Sequence, residues 1–500
     1  MMNEQNGQVS EPDSPIAAET SPAEAAASMP EQKEEPVFER KSFYKMVLRI
    51  GLPIALQGLL TSLVDASDTL MLAALSQDSL SAISLATQVH FVLNMIFISI
   101  NVVISSMSAQ YWGKGDHVTV EKVLAFALKI SGGTALLFFA AAMFAPRLLM
   151  TFFTDDPVLI EFGIQYLQIV SFSYLFLGLA HPFLTVFKNT GRVAKSSAFS
   201  ITAVILNLIL NAILIYGLFG FPKMEIKGAA LATVISRGVE FGLCAIENVR
   251  AKKGRFRFRY FIHDDKPVRV QFLKLLPGIL GNMAVWGVGQ TVFSSIIGHL
   301  GSDAVAANSL ASIARRLMIC LCNGVGNGSS VIVGHALGAD HLELAKVYAK
   351  KLLRLSVAIG VLSGIVLFFL TNPIVAIAGK NLTGQSKEYL RWMLYFCCFY
   401  VVGKSANTVF VHGCFYAGGD MKFGLICDAI NLWGFIIPVG YLLAFVFGAP
   451  VLIVYCFLNL DEIVKIPAEI IHYKKYGWVR NITFKNTVPP VEEEAEGAGG

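Results

Sequence analysis

The sequence predicts an all-α integral membrane protein with twelve transmembrane helices arranged as two pseudo-symmetric six-helix bundles. Three observations predict this fold: an apolar composition, twelve apolar segments of spanning length, and an internal repeat. Of the 500 residues, 55% are hydrophobic and 15% are charged. A soluble domain has roughly 45–50% apolar and about 25% charged residues. The chain is therefore too apolar for a soluble protein.

Twelve segments have the length of roughly 20 apolar residues that a spanning helix needs, and charged or Gly/Pro-rich stretches separate them. The predicted spans are 44–75, 84–111, 123–146, 158–187, 194–217, 226–250, 272–298, 304–332, 346–370, 387–415, 423–446 and 449–472. The sequence contains no glycine-rich phosphate loop of Walker spacing, so the chain is not expected to hydrolyse nucleotide itself.

The basic residues between the spans predict the orientation of the chain in the membrane. The densest basic cluster lies in residues 251–271, after the sixth span. Because cytoplasmic loops carry an excess of Lys and Arg, this loop is predicted to be cytoplasmic, and the even number of spans places both termini on the same side. The net charge of +5 resides largely in such loops, so we predict no nucleic-acid site. The expected location is the cell (inner, cytoplasmic) membrane, with lipid around the helices.

An internal repeat divides the chain into halves. A shift of 225 residues aligns Leu75–Gly113 with Leu300–Gly338 without a gap. Because this shift contains six spans, an even number, the two halves have the same orientation and are related by an axis along the membrane normal. The predicted division is a disordered cytoplasmic tail at 1–42, an amino-terminal bundle at 43–250, a basic cytoplasmic linker at 251–271, a carboxy-terminal bundle at 272–476, and a cytoplasmic tail at 477–500.

Two carboxylates, Asp65 and Asp68, lie inside the otherwise apolar first span. An ionised carboxylate at bilayer depth costs roughly 2.5–3.5 kcal/mol on insertion scales, so such a residue is expected to face a cavity, a partner or a proton. Three residues apart on a helix, the two can share one face, and like charges so close favour proton uptake by one of them. Both are candidates for ion coupling. The alternative is that one acid caps a broken helix or pairs with a buried base.

Other polar residues lie inside the spans of the first half. Asn207 and Asn211 are four residues apart on one face of the fifth span. Their side chains could coordinate a cation through the carbonyl oxygens, or could lock two helices together by hydrogen bonds. Gln57 and Asn94, in the first two spans, could complete a polar pocket in the same half.

The second half also carries polar residues at membrane depth. Lys404 in the tenth span and Asp428 in the eleventh could line a substrate cavity, or could form a buried pair that stabilises the bundle. Trp286 could line a cavity for flat organic molecules. Lys465 follows Glu462 by three residues and is expected to neutralise it. No metal-site or nucleophile motif is present, so we predict no catalytic residue, no metal and no cofactor.

The chain resembles the multidrug and toxin extrusion (MATE) family, in its bacterial branch, over residues 43–483. Six stretches carry the resemblance in order: "DTLMLAALSQDSLSAISLATQ", "AQYWGKGD", "NTGRVAK", "ILNLILNAILIYGLFGFPKMEIKGAALATVISR", "VGHALGADH" and "YAGGDMKFGLICDAINLW". The resemblance implies a V-shaped pair of six-helix bundles that exports organic cations in exchange for protons or sodium.

The resemblance also assigns roles to particular residues. Asp68 falls on the acid that the family uses for cation coupling, and Asn207 falls on the fifth-helix Asn of the same pocket. Asn211 stands where many members have a second Asp, and Trp286 lies in the stretch where many members place a Glu. Ser405 falls near a tenth-helix carboxylate that some members use, so a sodium site in the second half is not expected. Ser405 is instead a candidate residue of the substrate cavity.

The expected function is a secondary active antiporter, a monomer without enzymatic activity. It would export small organic, cationic, drug-like compounds in exchange for H⁺ or Na⁺ by alternating access. One alternative is a flippase for lipid-linked oligosaccharide or another anionic amphiphile of the same superfamily, which would need several exposed basic residues in its cavity. A further alternative is an intramembrane enzyme, for which only Asp65 with Asp68 offers paired acids.

Overall fold

A computed structural model describes residues 39–73, 77–378 and 382–483, and within these ranges the chain contains helices and no strands. The long helices are α1 Arg40–Ala73, α2 Gln77–Lys114, α3 His117–Phe144, α4 Pro157–Asn189, α5 Val193–Tyr216, α6 Glu225–Arg250, α7 Lys266–His299, α8 Ser302–Gly338, α9 Leu342–Ala378, α10 Gly384–Tyr416 and α11 Met421–Val446. In the described ranges, these eleven are the helices long and apolar enough to cross a membrane. The predicted all-α membrane fold is confirmed.

The predicted twelfth span, residues 449–472, is three short helices rather than one. These are α12 Val451–Leu458, α13 Asp461–Val464 and α14 Ile466–Lys474. The chain turns at Asn459, whose side-chain amide donates to the carbonyl of Tyr455 across 2.8 Å. Pro467 lies in the first turn of α14, where its missing N–H is tolerated. The breaks leave several charged residues of this segment at helix ends.

The two halves of the chain meet where α2 packs on α8 and along two further crossings, α1 with α8 and α2 with α7. In the first crossing, the Ser62 hydroxyl lies 3.3 Å from the Cys320 sulfur. In the second, the side chain of Met95 lies directly against Gly287. The repeat equates α1 with α7 and α2 with α8. The two crossings are therefore equivalent, as an axis along the membrane normal requires.

A reciprocal contact joins the C-terminal ends of α2 and α8. A Cβ added at Gly113 would stand 2.2 Å from the carbonyl oxygen of His335, and one added at Gly338 would stand 1.8 Å from the carbonyl oxygen of Gln110. The 225-residue shift pairs Gln110 with His335 and Gly113 with Gly338. Each half thus presents the same two positions to the other, as in a two-fold contact.

Hydrogen bonds surround this contact at the end of the bundle that the basic loops predict to be cytoplasmic. The Gln110 amide donates to the Ala417 carbonyl at 2.7 Å, and its oxygen accepts from the Ile482 backbone N–H at 2.7 Å. The imidazole of His335 bonds the Asn189 carbonyl at 2.7 Å. We call these five residues, with Gly113 and Gly338, the cytoplasmic seal.

The chain ends differ from the predicted boundaries. Residues 477–483 were expected to begin a tail, but Trp478 is fully buried and Ile482 belongs to the seal. Packing therefore continues to the last residue described, Thr483. At the other end α1 begins at Arg40, and Phe43 is already buried. The rest of the predicted tail, residues 1–38, lies outside the described residues.

The basic linker predicted at 251–271 packs on the first turns of α3. Lys122 of α3 donates to Asp265 at 2.6 Å, and buried Glu121 accepts from Arg257 at 2.8 Å. Asp265 also caps α7, which therefore begins inside the predicted linker at Lys266. The linker is a docked segment, held to the first half by ion pairs.

Candidate functional site

The backbone of Asp65 and Asp68 belongs to α1, but the structure does not describe their side chains. The helix that carries them packs against α5, and the Tyr216 hydroxyl at the end of α5 donates to the Met71 carbonyl at 3.1 Å. With a rise of 1.5 Å per residue, Asp68 lies about 4.5 Å along α1 from Met71, and Asn211 lies about 7.5 Å along α5 from Tyr216. These backbone positions are at similar depths on adjacent helices.

Asn207 and Asn211 come together as predicted from their spacing. The Asn211 amide donates to the Asn207 side-chain oxygen at 3.3 Å, and the Asn207 amide donates to the Thr233 hydroxyl of α6 at 3.4 Å. Thr233 in turn donates to the Ala229 carbonyl at 3.0 Å. Asn211 is 3% exposed and Asn207 is half-buried. We call Asn207, Asn211 and Thr233 the amide group.

The sequence analysis missed Thr233. A single threonine among small apolar residues carries no periodic or charge signal, and only the packing of α5 on α6 shows that it faces the two amides. Its hydroxyl fixes the direction of the Asn207 amide nitrogen. The Asn207 oxygen accepts from Asn211, so the amide group is a directed chain of hydrogen bonds.

The other polar residues predicted for the first half lie near the two crossings between the halves. Gln57 is half-buried on α1, and its side-chain oxygen has no hydrogen-bond partner within the described ranges. Asn94 is half-buried on α2 and precedes Met95, which contacts Gly287 of α7. Trp286 is half-buried beside that contact. Asn94 and Trp286 therefore lie one residue from the α2–α7 contact along their own helices.

The charged residues of the second half form a network. A Lys404–Asp428 pair was one of the two alternatives for these residues, but Lys404 donates to Glu462 across 2.7 Å. Lys465 lies 3.3 Å from the other Glu462 oxygen and 3.4 Å from Asp428. The predicted neutralisation of Glu462 by Lys465 is observed. The observed partner of Lys404 differs from Asp428 because the chain breaks at Asn459, before α13, and this break turns Glu462 toward α10.

Three amide and hydroxyl side chains complete this network. Asn407 donates to Glu462 at 2.7 Å, Asn282 of α7 donates to Asp428 at 2.7 Å, and Tyr416 donates to the Asn282 oxygen at 3.2 Å. Glu462 is 1% exposed, whereas the Lys404 side chain is 29% exposed. The network therefore has a buried centre and a partly open end.

Two stretches of π-helix adjoin this network. In α10, residues Val409–Tyr416 are π-helical and follow Asn407 and Thr408. In α11, residues Ala429–Ile436 are π-helical and follow Asp428 directly. Such segments are rare and occur frequently at functional sites. The wider backbone turns lie beside charged residues in both helices.

Ser405 is not part of either group. It is fully buried between α10 and α9, where its hydroxyl lies 2.7 Å from the Ser356 hydroxyl and accepts or donates a hydrogen bond. Both serines also bond each other's backbone carbonyls. Ser405 therefore joins two helices of one half, and the substrate-cavity role expected for it has no support from this placement.

The geometry of the two groups limits what each can do. The amide group offers neutral donors and acceptors at the depth of Asp68, a setting suited to a bound proton or cation. The network of the second half holds two ammonium groups against two carboxylates and is neutral as paired. Among the residues that the structure describes, no three His, Cys, Asp or Glu side chains are grouped closely enough to hold a metal ion.

Comparison with known proteins identifies similar sequences. A profile of the MatE family matches residues 53–213 and 277–442, more than half of the chain. The uncharacterized transporter YisQ of Bacillus subtilis is 22% identical over 398 residues, which cover 78% of this chain and 85% of YisQ. The multidrug resistance protein NorM of Burkholderia vietnamiensis is 27% identical over 414 residues, 79% of this chain and 86% of NorM.

Solved structures show the same fold. A mutant of the Vibrio cholerae MATE transporter VcmN superposes with a TM-score of 0.80 at 15% identity, covering 87% of this chain and 97% of that chain. At such low identity the likeness supports the fold alone. The observed helices therefore adopt a known architecture.

Proposed function

We propose that this chain, which belongs to the MatE family of membrane transporters, is a secondary active exporter of small organic compounds driven by H⁺ or Na⁺. The relatives are transporters and not enzymes, so an intramembrane enzyme is excluded. We place the protein in the cell membrane with both termini in the cytoplasm, on the basis of its basic loops. A relative named a multidrug resistance protein supports drug-like cargo.

The amide group carries the proposal. Asn211 and Asn207 form a hydrogen-bonded chain with Thr233, and α5 packs beside the helix that carries Asp65 and Asp68. A carboxylate at that depth must be neutralised by a proton, a cation or a partner. We assign the coupling ion to Asp68, with Asn207, Asn211 and Asp65 around it.

Protonation of Asp68 links ion binding to transport. The charged carboxylate favours a cationic substrate or a sodium ion, and the neutral acid does not. The two protonation states therefore differ in free energy between conformations open to opposite sides of the membrane. Such a differential interaction is what an ion needs in order to shift a conformational equilibrium.

The cytoplasmic seal supports alternating access. Gln110, His335 and their backbone partners join the halves at one end of the bundle. With the predicted orientation, the structure is closed toward the cytoplasm. Export requires that this contact break and re-form, since cargo must enter from that side.

Cationic cargo is favoured by the pairing of Lys404. A free ammonium group in the second half would repel a cation, but Lys404 is held at 2.7 Å by Glu462, so the pair has no net charge. A flippase for anionic amphiphiles would need unpaired basic residues instead. With its charge balanced by Glu462, Lys404 offers no free positive charge to an anionic cargo.

Transport by the purified protein in liposomes tests the proposal. A fluorescent organic cation is loaded, and its efflux is followed under an imposed pH gradient and, separately, under a sodium gradient. The proposal predicts efflux above that of protein-free liposomes under at least one gradient. Efflux that follows neither gradient would contradict ion-coupled export of cations.

A further inference from the structure

We propose that Glu469 is a second proton-binding group of this transporter, located in the second half and linked to the predicted cytoplasmic surface by His472. The proposal adds to the exporter function above. Proton binding by Glu469 is independent of that function, whereas a role of this proton in transport depends on it. It does not involve the first-half group at Asp68.

Glu469 belongs to a polar stripe along the segmented end of the chain. Glu462, Lys465, Glu469 and His472 follow one another at intervals of three, four and three residues. Residues at such intervals lie on one face of a helix. We call these four residues the polar stripe.

An ion pair holds the inner end of the polar stripe, and a hydrogen bond holds its outer end. At its inner end Glu462 accepts from Lys404 at 2.7 Å, and the Lys404 side chain is 29% exposed. At its outer end His472 lies 2.8 Å from Asp420, and its side chain is 22% exposed. The stripe therefore runs from a partly exposed base, through buried groups, to a partly exposed imidazole near the seal.

Glu469 is the stripe residue without an ion-pair partner in the described structure. It is 1% exposed, and its Oε2 atom is buried without a hydrogen-bond partner in the same set of residues. Lys465, four residues earlier, is already engaged by Glu462 and Asp428. An unpaired, ionised carboxylate in such surroundings is strongly disfavoured. A proton on Glu469 removes that cost.

The charged and titratable groups around Glu469 come from three helices besides its own. Lys404 and Tyr416 act from α10, Cys427 and Asp428 from α11, and Glu462 from α13. The two lysines are balanced by Glu462 and Asp428. A negative charge on Glu469 would therefore have no lysine of its own to balance it.

The polar stripe offers a path along which Glu469 can release its proton. When the O–H bond of Glu469 breaks, the proton passes to water on the His472 side, and the carboxylate that remains is stabilised by Lys465. Uptake reverses the same step. For Lys465 to stabilise the new charge, its contacts with Glu462 and Asp428 must loosen, so release is tied to movement among α10, α11 and α13.

An infrared titration tests proton binding without reference to transport. The protein is reconstituted in lipid, and the carbonyl stretch of protonated carboxyl groups is recorded across a pH series for the wild type and for Glu469→Gln. We expect the variant to lose the band of one protonated carboxyl group. The matched control, Glu240→Gln, removes a buried carboxylate that is ion-paired and should leave the band intact. An unchanged band in Glu469→Gln would overturn the proposal.

Transport then tests the role of the proton. Glu469→Gln and Glu469→Cys, which place neutral side chains of different size at this position, are expected to fold, and thermal unfolding in detergent checks this. We expect both to export with fewer protons moved per substrate and a flatter pH profile than the wild type. A wild-type pH profile in folded variants would overturn the transport role. If the wild type itself exports nothing, the proposed function fails, while the infrared result still decides proton binding.

Discussion

Gly338 of α8 lies against the backbone of Gln110 in α2, so closely that a Cβ at residue 338 would stand 1.8 Å from the Gln110 carbonyl oxygen. The equivalent contact of Gly113 with His335 repeats this closeness on the other side of the pseudo-two-fold axis. Backbone atoms on both sides leave no flexible side chain that could give way. The two glycines permit the closed form of the cytoplasmic seal.

Substitution of Gly338 by Ala is expected to open the seal. The added methyl group forces α2 and α8 apart at this point, and the Gln110 and His335 hydrogen bonds weaken with it. The measurement is the rate at which a reagent on the cytoplasmic side labels a cysteine introduced by Ala109→Cys. This rate should be higher when Gly338→Ala is also present than when Ala109→Cys stands alone. Gly133→Ala, in α3 with open space around it, is the control and should not change labelling. Equal labelling rates would show that the seal does not depend on this contact.

Removal of the Glu462 carboxylate is expected to destabilise the protein. Glu462→Gln leaves Lys404 and Lys465 without their shared partner, and breaking a buried ion pair in this way typically costs about 3–5 kcal/mol. Thermal unfolding in detergent should show a lower midpoint. Lys404→Met should have a smaller effect, because the Lys404 side chain is 29% exposed and Glu462 keeps Lys465. A larger loss for Lys404→Met would contradict the network as described.

Thr233→Val tests whether the amide group binds the coupling ion. The substitution keeps the shape of the side chain but removes the acceptor for the Asn207 amide. One hydrogen bond contributes about 1 kcal/mol, so we expect roughly a fivefold higher ion concentration for half-maximal efflux. Thr202→Val, an exposed threonine of α5 that bonds only its own helix, is the control. An ion dependence equal to that of the control would exclude Thr233 from the site.

Ser405→Ala separates a structural from a transport role for that residue. Both serines of the Ser356–Ser405 pair are buried, so the variant leaves hydroxyl and carbonyl groups unsatisfied at a cost of about 1–3 kcal/mol. We expect a lower unfolding midpoint in detergent, with an unchanged ion dependence of efflux by the folded protein. A changed ion dependence without loss of stability would return Ser405 to the transport site.

Local patterns in the sequence were enough to predict the spans, the pairing of Asn207 with Asn211, and the symmetry of the two halves. Hydrophobic runs gave the first eleven spans. The four-residue spacing brought Asn207 and Asn211 together, because that spacing fixes one helix face. The repeat predicted equivalent crossings of the halves. In each case the information lies within one segment or in the comparison of two.

Contacts that depend on packing between distant segments could not be predicted in this way. From the sequence alone, Lys404 could pair with either Asp428 or Glu462, depending on how the helices pack. The break at Asn459 turns Glu462 toward Lys404 and decides the pairing. Thr233 carries no sequence signal. Trp478 lies beyond the last apolar span, and its ring is buried where it stacks on Tyr473.

The most direct test of the central assignment is the pH and sodium dependence of organic-cation efflux in Asp68→Asn, compared with the wild type and with Asp155→Asn. Asp155 is an exposed loop residue, so its variant controls for the loss of one acidic charge. We predict gradient-driven efflux in the wild type and in Asp155→Asn, and none in a folded Asp68→Asn protein. Gradient-driven efflux by Asp68→Asn at the wild-type rate across the whole pH range would contradict ion coupling at Asp68.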